Sequence, residues 1–144
     1  VPGQVMHEST RRIVLQGSDG VVFVADSRRS EAAPTLAYWQ NMLKNLEANG
    51  LDPKTLPMVI QANKKDLPDS RDDDMADLRQ TLKPLVVPAV AIRGEGVVET
   101  LHILLTLCYR NRDRAVGLDK NWKLSEKEFQ AQIFSHMDLK GTKL

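Results

Sequence analysis

A short apolar run passes directly into four polar residues in the stretch Met58-Val59-Ile60-Gln61-Ala62-Asn63-Lys64-Lys65-Asp66. The run has the length and the β-branched content of a strand. Ligands of open α/β sheets bind at the carboxyl ends of the strands. The stretch therefore predicts a strand that brings Asn63, Lys64 and Asp66 to a ligand-binding edge.

Apolar runs and helical patterns alternate along the rest of the chain, which predicts βαβ units around a parallel sheet. Strands are predicted at residues 21–25, 58–62 and 87–92, and Pro88 favours an edge position for the last of them. Helices are predicted at residues 30–49, from Ser70 with the stripe Met75, Leu78, Leu82 and Leu85, and after Gly94-Glu95-Gly96 with Val97, Leu101, Leu104, Leu105 and Cys108 facing inward. The pattern loosens from Asn111, and a short last helix carries Phe129, Ile133 and Met137, with Ser125 and Glu128 matching a capping box.

The strand at residues 21–25 raises the question of what covers it. It is apolar on both faces, and three strands in sequential order would leave it at an exposed edge. Natural proteins avoid long apolar edges because these template aggregation. The chain also starts at Val1-Pro2-Gly3-Gln4, with no strand predicted before residue 21. We therefore expect further strands to precede Val1 in the intact protein.

Composition excludes several classes of function. The 144 residues fit one domain, and a net charge of +1 argues against nucleic-acid binding. The single cysteine excludes an internal disulfide and a cysteine-based zinc site, and His7, His102 and His136 have no metal-ligand spacing. We predict no metal site in this chain, no membrane span and no lipid anchor, since the C-terminus carries no prenylation box. The expected location is cytoplasmic.

The polar residues after the central strand suit a guanine base. The Asp66 carboxylate can accept hydrogen bonds from both N1 and N2 of guanine, and adenine presents no matching pair of donors. The aliphatic part of Lys64 can cover a flat ring while its ammonium stays in water. The alternative interpretation is a polar turn that caps the following helix.

These residues resemble a known family. Residues 63–68, Asn-Lys-Lys-Asp-Leu-Pro, resemble the base-specificity motif of Ras-like small GTPases, and the final Leu-Pro is similar to the ADP-ribosylation-factor branch. Residues 21–27, Val-Val-Phe-Val-Ala-Asp-Ser, resemble the strand that precedes this motif. Pro2-Gly3-Gln4 resembles the start of the second switch, most closely in the bacterial mutual gliding-motility (MglA-like) branch. The resemblance covers roughly residues 1–110.

The resemblance implies a three-layer α/β/α P-loop NTPase (small G-protein) fold with a mostly parallel sheet. Its N-terminal strands and phosphate loop are absent from this chain. Residues 1–112 would be the C-terminal part of the GTPase domain and residues 113–144 an extension with a short amphipathic helix. The intact protein would hydrolyse GTP to GDP with Mg²⁺ held by ligands outside this chain, and this stretch alone is expected to be inactive.

The resemblance also implies roles for individual residues. Gln4 would orient the attacking water, and the backbone N–H of Gly3 would approach the γ-phosphate. Asn63, Lys64 and Asp66 would bind the base. The third base-binding element of the family reads Ser-Ala-Lys, its backbone N–H meeting the guanine oxygen, and only Ala91 matches it here.

Two functions remain open at this point. The first is a guanine-nucleotide switch that regulates bacterial cell polarity or motility, with a roadblock-type GTPase-activating protein and effectors as partners. The second is a non-catalytic pseudo-GTPase, an interaction module that keeps the fold without turnover, for which the C-terminal helix is a candidate binding element.

Overall fold

The computed structural model describes residues 15–135, and the sheet in this part of the chain has three parallel strands. They are β1 (Val21–Asp26), β2 (Met58–Asn63) and β3 (Leu85–Pro88), in the order β1-β2-β3. β1 and β2 pair along their whole length, so that Asp26 lies opposite Asn63. The parallel α/β architecture predicted from the sequence is confirmed.

The described residues form four helices: α1 (Ala32–Ala48), α2 (Val97–Val116), α3 (Leu118–Trp122) and α4 (Glu126–Ser135). The helices α1 and α2 pack on the sheet, whereas α3 and α4 pack on α2. A turn of 3₁₀ helix, Arg29–Glu31, leads into α1, and Pro34 lies in its first turn, where no backbone donor is lost. None of these helices is long and apolar enough to cross a membrane. The predicted helix at residues 30–49 and the one opened by Gly96 are confirmed.

The helix predicted from Ser70 is wrong, because the chain between β2 and β3 forms turns. Asp74 and Met75 both have positive φ, at 47° and 56°, and two such residues in succession cannot continue a right-handed helix. The Asp73 carboxylate accepts the N–H of Met75, a local bond that competes with helical pairing. Met75 and Leu78 are nevertheless buried, so their spacing identified core residues in a segment that is not helical.

Two predicted boundaries also differ from the structure. The third strand ends at Pro88 instead of continuing to residue 92, and Ala91–Arg93 forms a turn of 3₁₀ helix. Proline offers no N–H, so pairing with β2 stops there apart from one bond from Ala89 to the carbonyl of Ala62. The stretch from Asn111, predicted to be loose, continues α2 as far as Val116.

The core lies between the sheet and the helices. Its fully buried side chains include Leu46 of α1 and Ile60 of β2, and Trp39 meets Phe23 edge to face with ring centroids 5.1 Å apart. On α2 the predicted inward residue Val97 is exposed, whereas Thr100 and Tyr109 are buried. Thr100 and Tyr109 are nine residues apart and lie on opposite sides of the helix, with Tyr109 facing the C-terminal segment, so α2 is covered on two sides.

β1 occupies one edge of the described sheet, as predicted from its position in the chain. A groove of about 420 Å³ runs along it, lined by β1 and α1 residues that include Phe23 and Tyr38. Val24 exposes 57% of its surface at this edge. Apolar strand surface is therefore uncovered in the part of the chain that the structure describes.

Gly96 fixes the approach of α2 to the end of β3. Its φ is +75°, and a Cβ at this position would lie 2.2 Å from the Pro88 carbonyl oxygen. Only glycine fits both the backbone conformation and the space. The contact places the loop at residues 89–95 beside the carboxyl end of β2.

The C-terminal helix packs on α2. The Tyr109 hydroxyl donates to the Leu124 carbonyl at 2.7 Å, and the Tyr109 ring lies 5.6 Å from that of Phe129. Ser125 and Glu128 form the predicted capping box, with Oγ of Ser125 donating to Glu128 at 2.7 Å. The division between residues 112 and 113 stays a prediction, and α2 runs across it.

Candidate nucleotide-base site

The candidate site lies where β1 and β2 end side by side. The N–H of Ser27 donates to the Asn63 carbonyl at 3.0 Å, which continues the pairing of the two strands by one bond. The N–H of Lys65 donates to the Ala89 carbonyl at 3.1 Å and ties the turn after β2 to the loop after β3. Three chain segments therefore meet at the carboxyl edge of the sheet.

Asn63 holds the third segment in place through its side chain. Its Oδ1 accepts the backbone N–H of Ala91 at 2.9 Å, across 28 residues of sequence. The two predicted site residues are thus brought into direct contact. Because the Ala91 N–H is already donated, the predicted bond to a guanine oxygen would require that N–H to be shared or exchanged.

Lys64 turns back towards β1. Its φ is +63°, uncommon for a residue with a side chain. Its ammonium donates to Oδ2 of Asp26 at 2.7 Å, while the side chain keeps 45% of its surface exposed. The aliphatic stem is therefore held across the edge of the sheet with one end fixed and one side open.

Asp26 is the anion that anchors this arrangement. Nε of Arg28 lies 3.1 Å from its Oδ1, and Nη2 lies 2.8 Å from its Oδ2. The Arg28 guanidinium, and after it Lys64, holds the pKa of Asp26 well below its usual range, against the opposing effect of burial. The carboxylate stays charged at any pH at which the protein would work.

Asp66, the predicted base acceptor, carries an ion pair of its own. Nη2 of Arg93, which belongs to the loop after β3, donates to its Oδ2 at 3.0 Å. The Asp66 side chain is 27% exposed and that of Arg93 is 56% exposed. The carboxylate is accessible from solvent, and a cation from the chain itself contacts it.

Lys65 belongs to the same four-residue motif but is used differently. Its ammonium donates to the Arg71 carbonyl, inside the turn between β2 and β3. Arg71 is itself buried and pairs with Asp77 at 3.0 Å. Lys65 therefore fastens the supporting segment, whereas Asn63, Lys64 and Asp66 remain at the edge of the sheet.

Comparison with known proteins finds relatives of the chain. The chain is 39% identical over 110 residues to the mutual gliding-motility protein MglA of Myxococcus xanthus, an alignment that covers 74% of this chain and 55% of MglA. The chain belongs to the small GTPases, in the MglA-like branch. It is also 30% identical over 95 residues to the GTPase Obg of Syntrophomonas wolfei, covering 66% of this chain and 22% of Obg. No family model matches the chain.

The chain thus spans about half the length of MglA. Its three-stranded parallel sheet with flanking helices is what part of a P-loop GTPase fold looks like. The fold class and the family expected from residues 63–68 are therefore confirmed. Gly3 and Gln4, predicted to act at the γ-phosphate, lie outside the described residues.

Two residues of the candidate site, Asp26 and Arg93, were not identified from the sequence. In the sequence pattern Asp26 marks only the end of a strand, although its register position opposite Asn63 places it beside Lys64. Arg93 matches no motif, although it follows Ala91 by two positions. Two signals were available in the sequence: Asp26 is a charged residue at the end of a neighbouring strand, and Arg93 is one that closely follows a predicted base-binding element.

The described residues form no cluster of metal ligands. No group of three or more potential ligands among His, Cys, Asp and Glu lies together within residues 15–135. Asp26, the carboxylate at the end of β1, is already bonded to Arg28 and Lys64. Within the described residues, the ends of β1 and β2 therefore offer hydrogen-bonding side chains and no preformed metal cluster.

Proposed function

We propose that the intact protein is a guanine-nucleotide-binding switch that hydrolyses GTP to GDP. The observation that carries the proposal is the position of Asn63, Lys64 and Asp66. They lie together at the carboxyl end of β2, where α/β sheets bind their ligands, and the Asp66 carboxylate is open to solvent. The similarity to MglA and to the GTPase Obg supports the same function.

Base recognition would rest on charge and shape together. Asp66 would accept hydrogen bonds from N1 and N2 of guanine, and a carboxylate makes such bonds shorter and stronger than a neutral acceptor does. The stem of Lys64, fixed at its tip by Asp26, would cover one face of the ring. Asn63 would keep the loop at Ala91 close to the base through its bond of 2.9 Å.

Hydrolysis would depend on residues that precede β1. Gln4 would hold the attacking water and the backbone N–H of Gly3 would approach the γ-phosphate, as the resemblance implies. Any Mg²⁺ would be held by ligands outside this chain, as the resemblance implies, and would supply positive charge beside the phosphates. The similarity to a gliding-motility protein favours a role in bacterial motility. The sequence resemblance further implies a role in cell polarity, with a roadblock-type activating protein and effectors as partners.

Nucleotide competition tests the proposal. We expect the full-length protein to bind GDP more tightly than ADP by about 10⁴-fold, because adenine leaves the Asp66 carboxylate without its two donors. Single-turnover assays should show conversion of GTP to GDP. Equal affinity for GDP and ADP would overturn base recognition. Tight GDP binding without any hydrolysis, even with an activating protein, would identify a pseudo-GTPase instead.

A further inference from the structure

The ion pair between Asp66 and Arg93 lies at the atoms that a guanine base would need. Nη2 of Arg93 is 3.0 Å from Oδ2 of Asp66. Arg93 reaches a second carboxylate as well, since its Nη1 lies 3.5 Å from Oε1 of Glu95. One guanidinium is therefore shared between an acceptor inside the candidate site and one beside it.

The Arg93 guanidinium offers Asp66 the same kind of N–H donors as a guanine base does. The N1–H and the C2 amino group of guanine form a guanidine unit within the ring, and that unit presents parallel N–H donors to a carboxylate. An arginine side chain presents the same planar arrangement of donors. A carboxylate that accepts one therefore also accepts the other.

We propose that Arg93 is an internal competitor for guanine, which occupies Asp66 in the empty site and has to leave before the base can bind. The proposal rests on the proposed function, because it needs Asp66 to be the base acceptor. Arg93 would lower nucleotide affinity by stabilising the nucleotide-free protein. It would do so without contacting the bound base.

The surrounding loop makes this exchange possible without refolding. The backbone of the loop is closed by the bond from the Val90 N–H to the Glu95 carbonyl at 3.0 Å, and Asn63 holds Ala91. Only the exposed Arg93 side chain has to move. Glu95, already within 3.5 Å, then serves as the anion that receives the guanidinium.

The expected size of the effect follows from exposure. Solvent-exposed ion pairs are weak, so Arg93 should occupy Asp66 for only part of the time. The apparent affinity falls by the fraction of protein that is competent to bind. Removing the competitor should therefore tighten binding by roughly two- to fivefold. The change should appear in the association rate constant, because the bound state has already released Arg93.

The test uses the full-length protein and GDP that carries a fluorescent label on the ribose. Arg93→Gln should raise the association rate constant roughly two- to fivefold and leave the dissociation rate constant unchanged. The same factor should hold for inosine diphosphate, whose base lacks the C2 amine, since the variant alters only the empty site. Raising the salt concentration should narrow the gap between the two proteins, because exposed ion pairs are screened.

Two further variants sharpen the design. Glu95→Gln should slow GDP association in the wild-type background, because the displaced Arg93 guanidinium loses the carboxylate with which it would pair. The same substitution should have no effect in the Arg93→Gln background. Arg112→Gln is the matched control: it removes an exposed pair of 2.9 Å with Asp19, before the amino end of β1, and should change neither rate constant.

The results that would contradict the role of Arg93 can be distinguished from those that would contradict base recognition by Asp66. Faster dissociation of GDP from Arg93→Gln would mean that Arg93 contacts the bound base, and the proposal would be wrong. Unchanged association, with binding that still depends on Asp66, would also overturn it while leaving the proposed function intact. GDP binding that is insensitive to Asp66→Asn would remove the proposed base recognition, and the competitor with it.

Discussion

Lys64 donates from Nζ to Oδ2 of Asp26 at 2.7 Å, across 38 residues of sequence. The bond exists because β1 and β2 are paired in a register that sets Asp26 opposite Asn63, one residue before Lys64. The positive φ of Lys64 turns its side chain towards the neighbouring strand. The pairing of two strands thus determines where the aliphatic stem of a candidate base-binding lysine lies.

Asp26→Asn should therefore weaken GDP binding without abolishing it. The asparagine keeps an acceptor for Lys64 but loses the charge, so we expect a loss of about 1 kcal/mol, or roughly fivefold in affinity. Arg28→Gln is the matched control, because it removes the other cation on Asp26 and leaves the bond to Lys64. Calorimetry on both variants is the measurement, and equal losses would show that Asp26 does not act through Lys64.

The Asp26 carboxylate should also contribute to the decrease in the free energy of unfolding at low pH. The Arg28 guanidinium, followed by Lys64, keeps the pKa of Asp26 below its usual range. A group whose pKa is lower in the folded than in the unfolded state stabilises the fold above the unfolded pKa, about 3.9, and this stabilisation is lost as pH falls further. Urea unfolding at pH 6 and pH 3 should show a smaller acid-induced loss for Asp26→Asn than for wild type. Identical losses would contradict this assignment.

Gly96→Ala should destabilise the fold and disturb the loop before α2. The new methyl group would lie 2.2 Å from the Pro88 carbonyl oxygen, and φ at this position is +75°. We expect a decrease of about 2–4 kcal/mol in the free energy of unfolding, the sum of backbone strain and overpacking. Gly50→Ala is a suitable control, because its φ is +74° but a methyl group there would have no atom beyond its chain neighbours within 4 Å. A loss no larger than that of Gly50→Ala would show that the contact with Pro88 is relieved cheaply.

The sequence predicted the sheet better than the connections. Strands β1 and β2 were found because their apolar runs are short, rich in β-branched residues and bounded by polar or glycine residues. Helix α1 was found because its apolar stripe ends before Gly50. The segment from Ser70 failed because the spacing of Met75 and Leu78 reports burial, whereas helix formation there is prevented by left-handed residues that a pattern of hydrophobicity does not encode. Tertiary packing of those side chains overrides the helical period.

In the candidate site, too, the residues that follow one strand were predicted and the residues that come from other segments were not. Asn63, Lys64 and Asp66 were identified because they are close in sequence and follow a strand. Asp26 and Arg93 were missed because their contacts join residues 38 and 27 positions apart. Such pairs depend on strand register and on the path of a loop, which local sequence patterns do not determine.

Deleting residues 121–144 should lower stability and leave nucleotide binding nearly unchanged. The deletion removes the bond from Tyr109 to Leu124 and the ring contact with Phe129, which we expect to cost about 2–3 kcal/mol. The described contacts of α4 with α2 involve residues outside the candidate site, so the affinity for GDP should stay within about twofold. Thermal unfolding and calorimetry measure the two quantities. A collapse of GDP affinity in a protein that remains folded would mean that the domain extends beyond residue 112.

The exchange of guanine for xanthine at Asp66 tests base recognition most directly. Asp66→Asn replaces one acceptor by a donor, and xanthine replaces the C2 amine by a carbonyl, so the two changes restore matched pairing. The measurement is competition between GTP and xanthosine triphosphate for the full-length wild-type and variant proteins. We predict that wild type prefers GTP and that Asp66→Asn prefers xanthosine triphosphate. A variant that still prefers GTP would show that Asp66 does not recognise the base.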